Sequence, residues 1–199
     1  MQKKKRMVAE TTGTYTVQEY LKLERRTGRK YAFYNGKLEQ MAGGTIAHNT
    51  VTGNVLSFLH QHLYSNPEYQ VFGSDQKIYL PKFNFYLYPD VVVVTGEPIL
   101  TDNEADAIIN PLLIIETLSK NTERYDRGQK FVEYQSLPSF KEYVLLRQDA
   151  PEAYCYFREQ PDVWRSKEVN GLENEVHFQS IDFRLGLEKI YYKVKFEGM

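Results

Sequence analysis

Two carboxylates stand where a folding chain normally excludes charge. Asp90, in Tyr88-Pro89-Asp90, leads directly into Val91-Val92-Val93-Val94, and Glu116 closes the run Leu112-Leu113-Ile114-Ile115. Acids joined to the most hydrophobic strands of a chain mark a place to look for chemistry, because an unpaired charge is costly to bury. If these strands are antiparallel neighbours, the start of one lies beside the end of the other and both acids share one sheet edge. A parallel pairing would hold them roughly 13 Å apart, at ~3.3 Å per residue. Two adjacent acids repel unless a divalent cation neutralises them, so the antiparallel pair reads as a Mg²⁺ or Mn²⁺ site with its remaining positions left to water and phosphate. Lys130 is the third candidate. Thr122, Asp126, Lys130 and Tyr134 recur at i, i+4 and share one helix face. If that helix packs back over the sheet edge, the Lys130 ammonium can orient an attacking water or stabilise a phosphorane-like transition state.

Each residue also has a structural reading. Asp90 would start a Pro-Asp turn, Glu116 would face solvent at a strand end, and Ser119 would cap the following helix. Asp126 and Lys130 would form a surface ion pair worth ~0.3–0.5 kcal/mol. His48, near the start of an earlier helix, is a candidate base or phosphate contact, with an ordinary pKa of about 6.5.

The elements that must position these groups follow from pattern. Thr16 with Glu19 fits a capping box, with Val17, Tyr20 and Leu21 at helical spacing and a stop near Thr27-Gly28. Asn35-Gly36 between Tyr31-Ala32-Phe33-Tyr34 and Lys37-Leu38-Glu39-Gln40-Met41 signals a two-residue hairpin. Val51, Val55, Phe58, Leu59 and Leu63 predict a helix over 45–64. Strands are expected at 69–73, 76–80, 85–95 and 111–118, with a long acidic loop at 96–110, then a helix over 121–136 stopped by Leu137-Pro138-Ser139. A strand from Phe140 to Leu146, a meander at 152–158, 162–169 and 174–179, and a short helical turn within 186–194 complete the chain. The order predicts an α/β (α+β) fold: a mixed central sheet flanked by helices, ending in a β-meander. Residues 1–10 read as a disordered basic tail and 11–199 as a single domain.

Composition excludes some classes. No apolar run approaches the ~20 residues that span a bilayer, and Met1 to Glu10 lacks an apolar core for a secretory signal. The one cysteine, Cys155, forbids an internal disulfide, so a cytoplasmic location is the default expectation. The net charge is −1, but residues 1–30 carry +6 and the remainder −7, an asymmetry that suits a phosphate-rich partner or simply a solvated tail and helix face.

The run Pro89-Asp90-Val-Val-Val-Val, then Ile115-Glu116-Thr117-Leu118-Ser119, then Thr122, Asp126, Lys130 and Tyr134, then Glu142-Tyr143, resembles a family of restriction endonucleases within the PD-(D/E)XK nuclease superfamily. Asn35-Gly36, Met41 and His48 fit its N-terminal part, and the likeness covers roughly residues 15–195. The resemblance implies a restriction-endonuclease-like core and Mg²⁺-dependent hydrolysis of DNA, with Asp90 and Glu116 as metal ligands and a homodimer for cutting both strands. Two departures stand out. The superfamily places lysine two residues after the acid, where this chain has Leu118, so Lys130 would be a migrated equivalent. The family's usual Glu-Val-Leu-Ser-Pro is here Glu116-Thr117-Leu118-Ser119-Lys120, which makes Lys120 a second possible cation, with Lys77 a third. The same residues leave open an inactive nuclease fold that binds nucleic acid or protein. A two-carboxylate glycosidase would need an open sugar cleft, for which only a few aromatics such as Tyr88 and Tyr125 lie nearby.

Overall fold

The capping box at Thr16 forms: its side chain accepts from the Glu19 amide while Glu19 reaches back to the Thr16 amide, opening helix α1 (Val17–Thr27). The computed structural model describes residues 13–101 and 106–196. The basic tail expected at 1–10 lies outside them. Strands β1 (Tyr31–Tyr34) and β2 (Lys37–Gln40) turn through Asn35 and Gly36, at φ 46° and 101°. Those left-handed values match the right-handed twist of a tight hairpin and favour asparagine and glycine. Helix α2 (Ile46–Leu63) starts at Thr45, whose hydroxyl accepts from the His48 amide.

After α2 the chain runs through β3 (Tyr69–Gly73), β4 (Lys77–Leu80), β5 (Phe85–Leu87), β6 (Val91–Thr95), β7 (Ala107–Ile108) and β8 (Pro111–Leu118). Two short helices follow, α3 (Glu123–Arg127) and α4 (Gln129–Tyr134), then β9 (Glu142–Arg147), β10 (Glu152–Gln160), β11 (Val163–Asn170), β12 (Glu175–Phe178), β13 (Phe183–Gly186) and α5 (Leu187–Ile190). A six-stranded sheet has the order β11-β10-β9-β8-β6-β3, and a five-stranded sheet the order β2-β1-β5-β4-β7. In the larger sheet only β8 and β9 are parallel.

Several expectations from periodicity change, and the loop expected over 96–110 contains the short strand β7, paired parallel with β4. The single strand over 85–95 is two strands in different sheets, because Tyr88-Pro89-Asp90 carries the chain from β5 into β6. The last hairpin, β12 with β13, forms its own two-stranded sheet rather than extending the meander.

Strands β6 and β8 are buried on both faces, which is why they read as unbroken apolar runs. On one face Val91, Val93, Leu113 and Ile115 meet Val51, Val55 and Leu59 of α2, with Val176, Phe178 and Leu187 alongside. On the other, Val92, Val94, Ile114 and Leu118 meet Leu80 and Leu87 of the smaller sheet and Tyr134, Leu137 and Phe140 around α4. Burying each such side chain contributes about 1.5–3 kcal/mol. The candidate residues thus sit at the rim of a dry, two-sided core that holds their backbone still.

Candidate active site

The β6/β8 pairing decides where the acids go. Val91 pairs antiparallel with Ile115, so the register sets Asp90 across from Glu116. Asp90 Oδ2 accepts the backbone amide of Thr117 at 2.7 Å, a direct link from the start of β6 to the end of β8. Among the described residues no hydrogen bond reaches Asp90 Oδ1 or Glu116 Oε2, while Glu116 Oε1 is held by Lys130 and Tyr134.

Helix α4 delivers the lysine. Lys130 Nζ lies 2.6 Å from Glu116 Oε1 and 3.1 Å from Asp126 Oδ1, and all three residues are buried. The expected helix over 121–136 breaks at Gly128, which takes φ −113° and ψ −95°. The i, i+4 contact from Asp126 to Lys130 survives the break. Asp126 is fixed in turn by the Tyr143 hydroxyl, which donates to its backbone carbonyl at 3.2 Å. Arg158 closes the far end of α4 by donating to the carbonyls of Gln135 at 2.6 Å and Leu137 at 3.3 Å.

Helix α2 delivers His48 from the opposite face. His48 Nε2 is 3.2 Å from Asp90 Oδ2. A hydroxyl pair, Thr52 with Thr117 at 2.8 Å, ties α2 to β8 beside it. Gly44, just before α2, is packed so closely that a Cβ there would fall 2.7 Å from His48 Nδ1 and 2.6 Å from Asn49 Oδ1. A side chain at position 44 would therefore displace the imidazole.

The electrostatics of the cluster follow from burial and crowding. Burial pushes the Glu116 carboxyl up to about 8 against the pull of Lys130, with Asp126 and Asp90 raising it further. Burial opposes charging Lys130, yet Glu116 and Asp126 outweigh it and hold the ammonium well above its usual range. At neutral pH Lys130 is thus a charged donor and not a base. Burial also disfavours the charged His48, but the Asp90 carboxylate, with Glu116 behind it, raises the imidazole above its ordinary value.

Of the other candidates, Lys77 belongs to the smaller sheet, where it pairs with Glu24 at 3.1 Å. Lys120 is exposed and lines a shallow groove with Glu123, Arg124, Arg127 and Gly128. Among the described residues neither forms an ion pair with Asp90 or Glu116. In sequence, Asp126 and Tyr134 belong to the Lys130 helix face and to the family-like pattern, with no chemical role assigned to either. Their shared helix face with Lys130 was the available signal. Thr52 and Gly44 carried none.

The donor set fits a hard divalent cation. Asp90 and Glu116 offer carboxylate oxygens on facing strands, and Mg²⁺ typically takes one or two carboxylates and keeps several waters. Among the described residues no group of three or more His, Cys, Asp and Glu side chains forms an all-protein cage, and none offers a thiolate site.

A mixed sheet between helices, with acids meeting at the junction of two central strands, defines a nuclease-like α/β architecture. The chain belongs to the Uma2 family, described as "Putative restriction endonuclease", whose model matches residues 17–188. It is 34% identical over 172 residues to the uncharacterized protein sll1609 of Synechocystis sp., covering 86% of this chain and 97% of that one. A second Synechocystis protein, slr1290, also uncharacterized, is 28% identical over 180 residues, covering 90% and 92%. Among solved structures the fold matches a "putative nuclease belonging to DUF820" from Anabaena variabilis ATCC 29413, with a TM-score of 0.71 at 16% identity over 89% of this chain and 97% of that one. The restriction-endonuclease-like fold is therefore shared where little sequence is. No helix of the described residues is long and apolar enough to cross a membrane.

Proposed function

We propose that this protein is a metal-dependent endonuclease that hydrolyses DNA phosphodiester bonds at the Asp90/Glu116 edge. The observation that carries the reading is the convergence there of two facing carboxylates with oxygens left open and a buried, charged lysine. Asp90 and Glu116 would hold Mg²⁺ or Mn²⁺, and a metal so held supplies Lewis-acid stabilisation of phosphate charge and a more acidic water. The chain's own residues do the rest. Lys130 has three N–H donors, of which Glu116 and Asp126 engage two, leaving one to orient a water or meet a phosphate oxygen. Asp126 is a positioning residue that keeps the ammonium aimed when Glu116 turns toward a cation. The Thr117 amide and His48 fix Asp90 through Oδ2, which leaves Oδ1 for the metal. Family membership supports the same activity. A two-fold pairing of copies would let both DNA strands be cut, and sedimentation equilibrium with and without DNA tests it.

The test is incubation of supercoiled plasmid with purified protein and Mg²⁺ or Mn²⁺. Nicking that disappears in EDTA and in Asp90→Ala supports the reading. Absence of nicking across metals and DNA forms, or activity unchanged in Asp90→Ala, removes it.

A further inference from the structure

Between Glu116 and Lys130 the chain makes an excursion that begins and ends at the site, because those two residues are joined at 2.6 Å. The excursion carries three cations, Lys120, Arg124 and Arg127, and they line one shallow groove with Glu123 and Gly128. Lys120 and Arg124 are exposed, and neither makes an ion pair among the described residues. Arg127 is held in place from two sides, by Glu123 at 3.3 Å and by the face of the Tyr154 ring, 3.7 Å from its guanidinium carbon. The one acid of the groove, Glu123, is shared between Arg127 and Arg147, the latter at 3.4 Å, so its charge is offset. The groove therefore presents net positive charge on a surface, with one rigid guanidinium and two unpaired cations.

We infer that this groove takes the backbone phosphates of DNA that flank the bond cut at Asp90 and Glu116. The inference rests on the nuclease reading for its ligand but not for its geometry. Lys120 is four residues from Glu116 and Arg127 three from Lys130. A chain reaches at most about 3.6 Å per residue, so these backbones lie within about 14 Å and about 11 Å of the site. Duplex DNA rises about 3.4 Å per nucleotide of a strand, which sets the phosphates concerned within about four nucleotides of the scissile one. Contacts of this kind, made to phosphate oxygens, position the duplex and carry no base information directly. Arg127, stacked and prearranged, suits a two-pronged phosphate contact, whereas Lys120 offers a compact point charge and Arg124 a second, exposed guanidinium.

The experiment is fluorescence anisotropy of the full chain with a labelled DNA duplex in EDTA, where cleavage is silent, across a salt series. Lys120→Gln with Arg124→Gln changes only exposed side chains. It is expected to weaken binding on the order of tenfold at low salt and to make the log K against log salt slope shallower by about 2, one counterion-release increment for each lost contact. Lys37→Gln with Arg184→Gln removes the same charge from β2 and β13 and is expected to leave both quantities nearly unchanged. An unchanged slope in the groove variant, an equal loss in the control pair, or binding to RNA but not DNA would overturn the inference. The two readings fail separately. If the wild type never cuts DNA but the groove variant still loses binding, the nuclease reading falls and the groove stands. If the wild type cuts and the groove variant binds DNA normally, the groove falls and the nuclease reading stands.

Discussion

Glu116 and Glu142 are buried carboxylates on adjacent parallel strands, and the fold treats them in opposite ways. Glu142 opens β9, and both its oxygens are saturated: Oε1 accepts the Gln179 amide at 2.9 Å, and Oε2 accepts the Ser180 amide at 2.8 Å and the Ser180 hydroxyl at 2.6 Å. It ties β9 to the turn between β12 and β13. Glu116, two residues before the end of β8, has one oxygen held by Lys130 and Tyr134, the other without a hydrogen bond among the described residues, and two further acids crowded near it. A carboxylate kept for structure is surrounded by N–H and O–H donors. Glu116 is left short of them, which suits the cation proposed for it.

Substitutions should separate the two acids sharply. Glu116→Gln is expected to reduce DNA cleavage by about 10³-fold or more, the scale of losing a transition-state-stabilising group, while thermal stability holds or rises because a buried acid crowded by Asp126 and Asp90 is gone. A plasmid-nicking assay run beside differential scanning calorimetry checks both halves. A large drop in melting temperature would place Glu116 in the same structural class as Glu142.

Lys130→Met should lower the cleavage rate about 10²–10³-fold with little change in DNA affinity, as the proposed role of its ammonium at the developing charge requires. Single-turnover rates compared with binding in EDTA distinguish this from simple misfolding.

The pH dependence has a definite sign. The folded pKa of Glu116 is raised to about 8, so without metal it holds a proton that must leave before it can ligate. Divalent affinity should therefore rise between pH 6 and 8 by up to about tenfold per unit, then level off above 8. The same raised value makes the metal-free fold more stable toward low pH, with that contribution lost as pH rises toward 8. Titration calorimetry with Mn²⁺ at several pH values would show it, and a flat profile would argue against Glu116 as a ligand.

Glu142→Gln should cost about 1–3 kcal/mol of stability, since the amide leaves at least one buried donor unmatched, while cleavage per folded molecule stays the same. Denaturant unfolding read together with nicking tests that pairing. The smallest effect is expected from Gly44→Ala. The new Cβ must push His48 aside and loosen Asp90, for a loss of about tenfold in rate, in the range seen when a group that orients a metal ligand is disturbed.

Much of the site was legible because it rests on local pattern. The apolar runs with Asp90 before one and Glu116 after the other require only that the strands pair antiparallel, and the i, i+4 spacing put Asp126, Lys130 and Tyr134 on one face. Other parts depend on contacts far apart in sequence. His48 reaches Asp90 only because α2 packs across β6 and β8, and no spacing encodes that crossing. The split of 85–95 into two sheets was hidden for a similar reason: both strands read as extended, and only their partners differ. The break at Gly128 left the lysine in place because buried contacts to Glu116 and Asp126 hold it independently of helix continuity.

By itself, then, the sequence determined most of the elements, the apolar runs that put Asp90 and Glu116 at the rims of a two-sided core, and the charge balance of the 116–130 excursion. These follow from short-range periodicity and from the cost of burying charge. Only the tertiary structure decided which cation serves the acids. It set Lys130 against Glu116, paired Lys77 of the smaller sheet with Glu24 of α1, and left Lys120 facing solvent in the groove. The physical reason is that an ion pair is chosen by where packed elements bring side chains within a few ångströms, and the packing of α4 over β8 is a property of the whole core.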